Sequence, residues 1–133
     1  MTLNEATELV YSTFVTAWGS TTLFTFDNED FEEPESDPWV RLVVRSTTGG
    51  QDSLGEPGFR IFRRRAMVMA QVFTPANSGS QQGQQLAHQL RDVFEARAIG
   101  GLDFNDGQVT TIGPSGRWYQ TNVTVAFGYN EVK

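Results

Sequence analysis

Residues 60–73, Arg-Ile-Phe-Arg-Arg-Arg-Ala-Met-Val-Met-Ala-Gln-Val-Phe, constrain the fold more than any other part of the chain. Successive side chains of a strand point to opposite faces. One set here is Phe62, Ala66, Val68, Ala70 and Val72. The other is Ile61, Met67, Met69 and Phe73, with Arg63 and Arg65. A strand that is apolar on both faces needs cover on both. A helix supplies one cover, and the second face needs another layer, for which a neighbouring subunit is a candidate.

The remaining periodicities supply the other elements. Leu3, Ala6, Val10, Phe14 and Ala17 recur at helical spacing, with Leu9 and Trp18 widening the stripe, so residues 3–18 read as a helix. Thr2 and Glu5 have capping-box spacing, and Gly19 is a stop. A second helix is expected from Ser80 to Ala98. Its inner stripe is Leu86, Leu90, Val93, Phe94 and Arg97, and Gly100-Gly101 ends it.

Residues 22–26 read as a short strand and 39–45 as a longer one. In the latter, Val40, Leu42 and Val44 oppose Trp39, Arg41, Val43 and Arg45. Residues 102–104 form a short extended piece. Residues 108–112 and 117–129 pair around the turn Gly113-Pro114-Ser115-Gly116. In the last strand Tyr119, Thr121, Val123, Val125, Phe127 and Tyr129 share the inward face. The order α-β-β-β-α-β-β implies an α+β fold, with two helices packed on a mostly antiparallel sheet. At 133 residues the chain is expected to be a single domain, 1–133.

Two polar segments interrupt this pattern. Seven of the 16 acidic residues fall between Asp27 and Asp37, and the net charge of −6 belongs to that stretch. Elsewhere the charges nearly balance, so binding of DNA phosphates by the whole surface is not favoured. The segment Asp27–Pro38 reads as an extended surface loop, and residues 46–59, rich in Gly, Ser, Thr and Pro, as a second one.

Catalytic signals are weak. The chain has no cysteine, which excludes disulfides, thiolate metal sites and cysteine nucleophiles. His88 is the sole histidine, which excludes multi-histidine metal sites, and its place on the polar side of the second helix reads as solvated. Neither a phosphate loop nor a Gly-x-Ser-x-Gly elbow is present. Asp27-Asn28-Glu29-Asp30 begins like a calcium loop, but Glu32 stands where glycine is needed and Pro38 ends the loop. No catalytic residue, cofactor or metal is expected. An enzyme or small-molecule-binding domain is the weakest reading.

The N-terminus does not read as a signal peptide. No apolar run approaches the roughly 20 residues of a membrane span, so no membrane partner is expected. The lack of cysteine fits synthesis in the cytosol.

Arg63-Arg64-Arg65 cannot form one patch, because alternation sends Arg64 to the side of Phe62 and Ala66. Snorkelling at the exposed strand end is the plain reading. An intersubunit salt bridge with the acidic loop is the alternative. Nucleic-acid binding comes last, because no basic surface with interleaved aromatics is present. Trp39 and Trp118-Tyr119 fit either a core edge or an interface.

Several pieces taken in order resemble a known family. They are Trp39-Val40-Arg41-Leu42 after an acidic, proline-containing loop, Gly58-Phe59-Arg60 with Arg63-Arg64, and Gln71-Val72-Phe73-Thr74-Pro75 followed by Gly79. Gly100-Gly101 and Gly113-Pro114-Ser115-Gly116-Arg117-Trp118-Tyr119-Gln120 complete the set. Over residues 20–130 the chain resembles the phage tail terminator-like proteins. The resemblance implies a structural virion protein, assembled in the bacterial cytoplasm. It would form a homohexameric ring at the head-proximal end of the tail tube, stop tube polymerisation and provide the head–tail joining surface. The implied partners are further copies of the chain, the tail tube protein and a head-completion or stopper protein, with DNA only as passing cargo. Another neck, head-completion or tube protein, of a phage or a gene transfer agent, is the alternative.

The family supplies no functional residue set. Interface residues are therefore assigned from apolar and charged features: Glu29, Asp30, Phe31, Glu32, Glu33, Phe59, Arg63, Arg64, Arg65, Met67 and Met69. The acidic loop is expected to line a lumen or to meet basic residues of an adjacent copy.

Overall fold

The computed structural model describes residues 1–51 and 55–133. Helix α1 spans Leu3–Trp18, followed by strands β1 (Leu23–Phe26), β2 (Trp39–Gln51) and β3 (Ile61–Pro75). Helix α2 (Gln81–Phe94) precedes β4 (Ala98–Ile99), β5 (Leu102–Ser115) and β6 (Trp118–Val132). The strands form one sheet in the order β1-β2-β3-β6-β5-β4. Only the β1–β2 pair is parallel. The α+β class and the element order expected from periodicity are those observed.

Both helices pack on the same face of the sheet. Ala6, Val10, Phe14 and Trp18 of α1, and Ala87, Leu90, Val93 and Phe94 of α2, share one buried cluster with Val40, Leu42, Val68, Val72, Val123, Val125 and Phe127. The capping box forms as the spacing predicts: Glu5 N donates to Thr2 Oγ1, and Thr2 N donates to Glu5 Oε1. The Thr2 bonds hold the Glu5 carboxyl below the usual carboxylate range. Phe14 is the aromatic centre of the α1 packing, with ring centroids 5.5 Å from Trp18 and 5.3 Å from Phe24. Tyr11 stacks on Phe26 at 4.1 Å, and burial pushes its hydroxyl pKa up.

Four sequence expectations need correction. Gly113, Pro114 and Ser115 pair with Gln120, Tyr119 and Trp118, so the hairpin turn is Gly116-Arg117 and not Gly113-Pro114-Ser115-Gly116. Helix α2 stops at Phe94, short of Ala98: Glu95 turns to an extended backbone (φ −54°, ψ 130°) and Ala96 then takes a left-handed one (φ 55°). Arg97 is therefore exposed rather than part of the inner stripe, and its guanidinium donates to Val93 O at 2.8 Å, satisfying a terminal carbonyl. Gly83 and Ala87 are the buried positions that the larger apolar residues had obscured. A Cβ on Gly83 would stand 3.0 Å from Thr121 Oγ1, so glycine lets the helix lie close on the sheet.

Gly100-Gly101 does not end the helix. It is the two-residue turn between β4 and β5, with φ of 55° and 95°. Positive φ at both central residues is the hairpin-compatible geometry that glycine accepts without strain.

Residues 46–59 are not one loop. Strand β2 continues through a bulge after Ser46, and Gly49, Gly50 and Gln51 pair with Arg64, Arg63 and Phe62. Residues 52–54 of that expected loop lie outside the described residues. A turn follows, closed by Phe59 N donating to Glu56 O.

Replacing Phe14, which is fully buried, with alanine should cost about 3–5 kcal/mol of unfolding free energy. Chemical denaturation of Phe14→Ala beside the unaltered chain checks this. A loss under about 1 kcal/mol would contradict the assigned packing.

Candidate interaction surface

Because α1 and α2 share one face, no described element of helix covers the other. Cross-strand register arranges that uncovered face in rows. Trp39, Phe73 and Gln120 lie side by side, then Arg41, Gln71 and Asn122, then Val43, Met69 and Thr124. Arg45, Met67 and Ala126 follow, then Arg65 with Gly128 and Asp103, and last Arg63 with Asn130.

The Trp39 end is closed by the acidic segment. A parallel strand pair needs a crossover of a dozen or so residues, and Asp27–Pro38 is that crossover between β1 and β2. It crosses the otherwise open face. Phe31 lies on Trp39 with ring centroids 5.0 Å apart, Trp39 stacks on Phe73 at 4.2 Å, and Trp118 meets Trp39 edge-on at 6.0 Å. These aromatic residues form a second buried cluster, separate from the main core. Glu33 accepts from Trp118 Nε1 at 3.3 Å and pairs with Arg117 at 3.5 Å, and Arg117 also donates to Pro34 O. At the start of the loop Asp27 pairs with Arg45 at 2.7 Å. The Arg45 hydrogen bond holds the Asp27 carboxyl below its usual range.

The loop is thus neither free nor uniformly paired. Glu29 accepts from Phe26 N. Asp30 and Glu32 are exposed and make no hydrogen bond or ion pair among the described residues.

The opposite end of the face is basic. Arg63, Arg65, Thr47, Asp103, Asn105 and Gly128 line a cleft of about 250 Å³. Arg63 reaches Asp103 Oδ2 at 3.2 Å and Asn130 Oδ1 at 3.3 Å. Its guanidinium lies flat over Gly128, where any Cβ would stand 2.5 Å from Nη2. Arg65 is exposed and has no partner among the described residues. Met67 and Met69 are half-buried between these two ends.

Arg64 leaves this surface, as alternation requires. It pairs with Glu131 at 2.9 Å and lies 4.9 Å from the Phe62 ring centroid on the helix side. Phe59, 76% exposed, stands beyond the start of β3. Of the residues singled out from sequence, the structure brings Arg63, Arg65, Met67 and Met69 together. It runs the acidic loop from Asp27, at Arg45 in the Met67 row, back to the Trp39 end, where Phe31 packs, and puts Arg64 on the other side.

Asp103, Asn130, Glu131 and Gly128 were missed, because strand pairing alone brings them to the arginines. One signal was present: a glycine inside the alternating strand 117–129 marks a close approach. His88 is exposed on α2. Among the described residues no three His, Asp or Glu side chains gather as a metal site. No described helix is long and apolar enough to cross a membrane.

A family model described as phage tail terminator protein matches residues 12–127, which holds every strand of this face except the end of β6. The chain belongs to the phage tail terminator family. It is therefore a structural protein of the phage tail and a component of the virion. Fourteen chains of solved structures are similar to this tail terminator family member. One of them superposes with a TM-score of 0.65, covering 96% of this chain and 97% of its own, at 16% identity. At that identity the likeness shows a shared fold alone. No curated protein matches the sequence.

The Asp27–Arg45 pair makes a pH prediction for this tail terminator. A carboxyl whose folded pKa is lowered contributes stability that is present above its unfolded value and is lost as pH falls through the folded value. Asp27→Asn should therefore lower the thermal midpoint at neutral pH. The difference from the unaltered chain should close as pH falls out of the ordinary carboxylate range and through the lowered folded value. A difference that persists undiminished in acid would mean that the pair is not its source.

Proposed function

We propose that this protein forms a ring at the head-proximal end of the tail tube, stops tube polymerisation there, and offers the surface that joins the head. Its partners are then other copies of itself, the terminal tube subunits and a head-completion or stopper protein, with DNA passing through the lumen. Residues 1–133 act as one folded unit in this role, and assembly takes place in the bacterial cytoplasm.

The single observation that carries the reading is family membership over residues 12–127. The geometry is compatible with it. A ring requires two different, complementary patches on each copy, a heterologous contact that closes on rotation. A sheet with helices on one face and a second face of mixed Met, Arg and polar rows has surface to commit to such contacts. The two ends of that face differ in charge, as a head-to-tail contact needs.

Deleting the gene from its particle should give tails of uncontrolled, excessive length that lack heads, and resupplying the protein should restore normal length. Headed tails of normal length without the protein would end this reading. Counting copies per particle discriminates further. Ring stoichiometry is expected, whereas copies along the whole tail would identify a tube protein.

A further inference from the structure

The uncovered sheet face is electrically bipolar. Toward the Trp39 end the crossover carries Asp30, Glu32, Glu35 and Asp37, all exposed, with Asp30 and Glu32 unpaired among the described residues. At the other end stand Arg63 and Arg65. The crossover starts at Asp27, paired with Arg45 in the Met67 row, but Phe31, between Asp30 and Glu32, lies on Trp39 in the Phe73 row, eight residues of β3 from Arg65. At about 3.3 Å per strand residue that is roughly 26 Å. No carboxylate of the acidic crossover reaches Arg63 or Arg65 within one chain. Among the described residues the acidic partner at the basic end is Asp103, which takes Arg63 and leaves Arg65 unmatched.

The basic end is also shaped. Gly128 provides a floor without a side chain, so the Arg63 guanidinium lies against the backbone instead of projecting. Asp103 and Asn130 fix that guanidinium by two of its five N–H groups and leave others free. Arg65 stands two residues along the same strand face. A fixed guanidinium beside a free one, over a cleft, fits an incoming carboxylate. Met67 and Met69 extend from the cleft as half-buried, deformable apolar surface.

We propose that the Arg63–Arg65 cleft receives the acidic crossover of a second copy of this chain, with Asp30 and Glu32 as the carboxylates. This contact rests on the ring reading above and assigns the two patches that the ring would use. The two patches cannot satisfy each other within a copy. A two-fold pair of copies would use both patches at once and stop at a dimer, whereas the ring reading requires the head-to-tail arrangement, so disulfide-linked species larger than a dimer are the outcome that supports it. The charge complementarity selects a second copy over other occupants, because this chain itself carries the matching acidic segment.

The test uses copies supplied to cells whose particle gene has been deleted. Arg65→Glu alone, or Asp30→Lys with Glu32→Lys alone, should lower the yield of headed tails of normal length by about tenfold or more, since like charges then face each other. Supplied together, the two kinds of copy should restore the yield, because alternating copies match at every contact. Full yield from either variant alone overturns the proposal. So does failure of the mixture while each copy is folded by circular dichroism.

A second measurement is independent of the charge variants. The chain has no cysteine, so Glu32→Cys with Arg65→Cys in one copy should give a ladder of disulfide-linked oligomers from intact tails. The intramolecular separation forbids closure within a chain. Monomer alone overturns the contact. Retention of duplex DNA that Arg65→Glu abolishes, without a ladder, overturns it in favour of a phosphate partner. If the unaltered copy fails to restore headed tails, the ring reading falls instead.

Discussion

One-sided burial is the constraint on which the rest of this structure depends. The two helices both take the inner face of the sheet, where Val, Ala, Leu and aromatic side chains alternate inward along β2, β3 and β6. Hydrophobic burial against that face stabilises the chain. The outer face is left to a different solution. Its first row is covered by the chain itself, through Phe31 on Trp39, Phe73 and Trp118. The remaining rows, where Met67, Met69, Arg65 and Ala126 lie, receive no cover among the described residues.

The β1–β2 connection links this constraint to charge. A parallel pair forces the chain to travel back along the sheet before β2 begins. The route carries seven carboxylates across the Trp39 end of the outer face. Two of them are taken by arginines, Asp27 by Arg45 and Glu33 by Arg117, and these pin the crossover at its start and near its middle. The concentration of negative charge that looks like a solvated loop in sequence is thus placed by topology at one end of one face. The arginines of β3 stand at the other.

Much of the fold was legible before any coordinates. The helix over 3–18, the inward sets of β2, β3 and β6, and the pairing of the last two long strands follow from periodicity. The turn between them lies later than its composition suggests, at Gly116-Arg117, because Gly113, Pro114 and Ser115 still pair with β6. The failures have physical causes. Helix α2 was overextended because Arg97 falls at helical spacing. The break at Glu95-Ala96 has no local signal, since glutamate and alanine both favour helix. Gly100-Gly101 reads equally as a helix stop or as a hairpin turn, and the short β4 decides between them. The hairpin arm of β2 was hidden because Gly and Thr suit loops as well as bulged strands. In the candidate surface, alternation correctly separated Arg64 from Arg63 and Arg65. Asp103, Asn130 and Glu131 were not legible, because they reach the arginines from 40 to 67 residues away through strand pairing.

The central claim is that the outer sheet face, left bare by the helices, is the face this tail protein covers when it assembles. Oxidative footprinting of the methionines tests it most directly. Met67 and Met69 lie on that face, and Met1, beside the N-terminus of α1, serves as the reference. The account predicts that Met67 and Met69 become strongly protected in intact tails relative to the free protein, while Met1 changes little. Equal oxidation of Met67 and Met69 in the free and assembled states would contradict it.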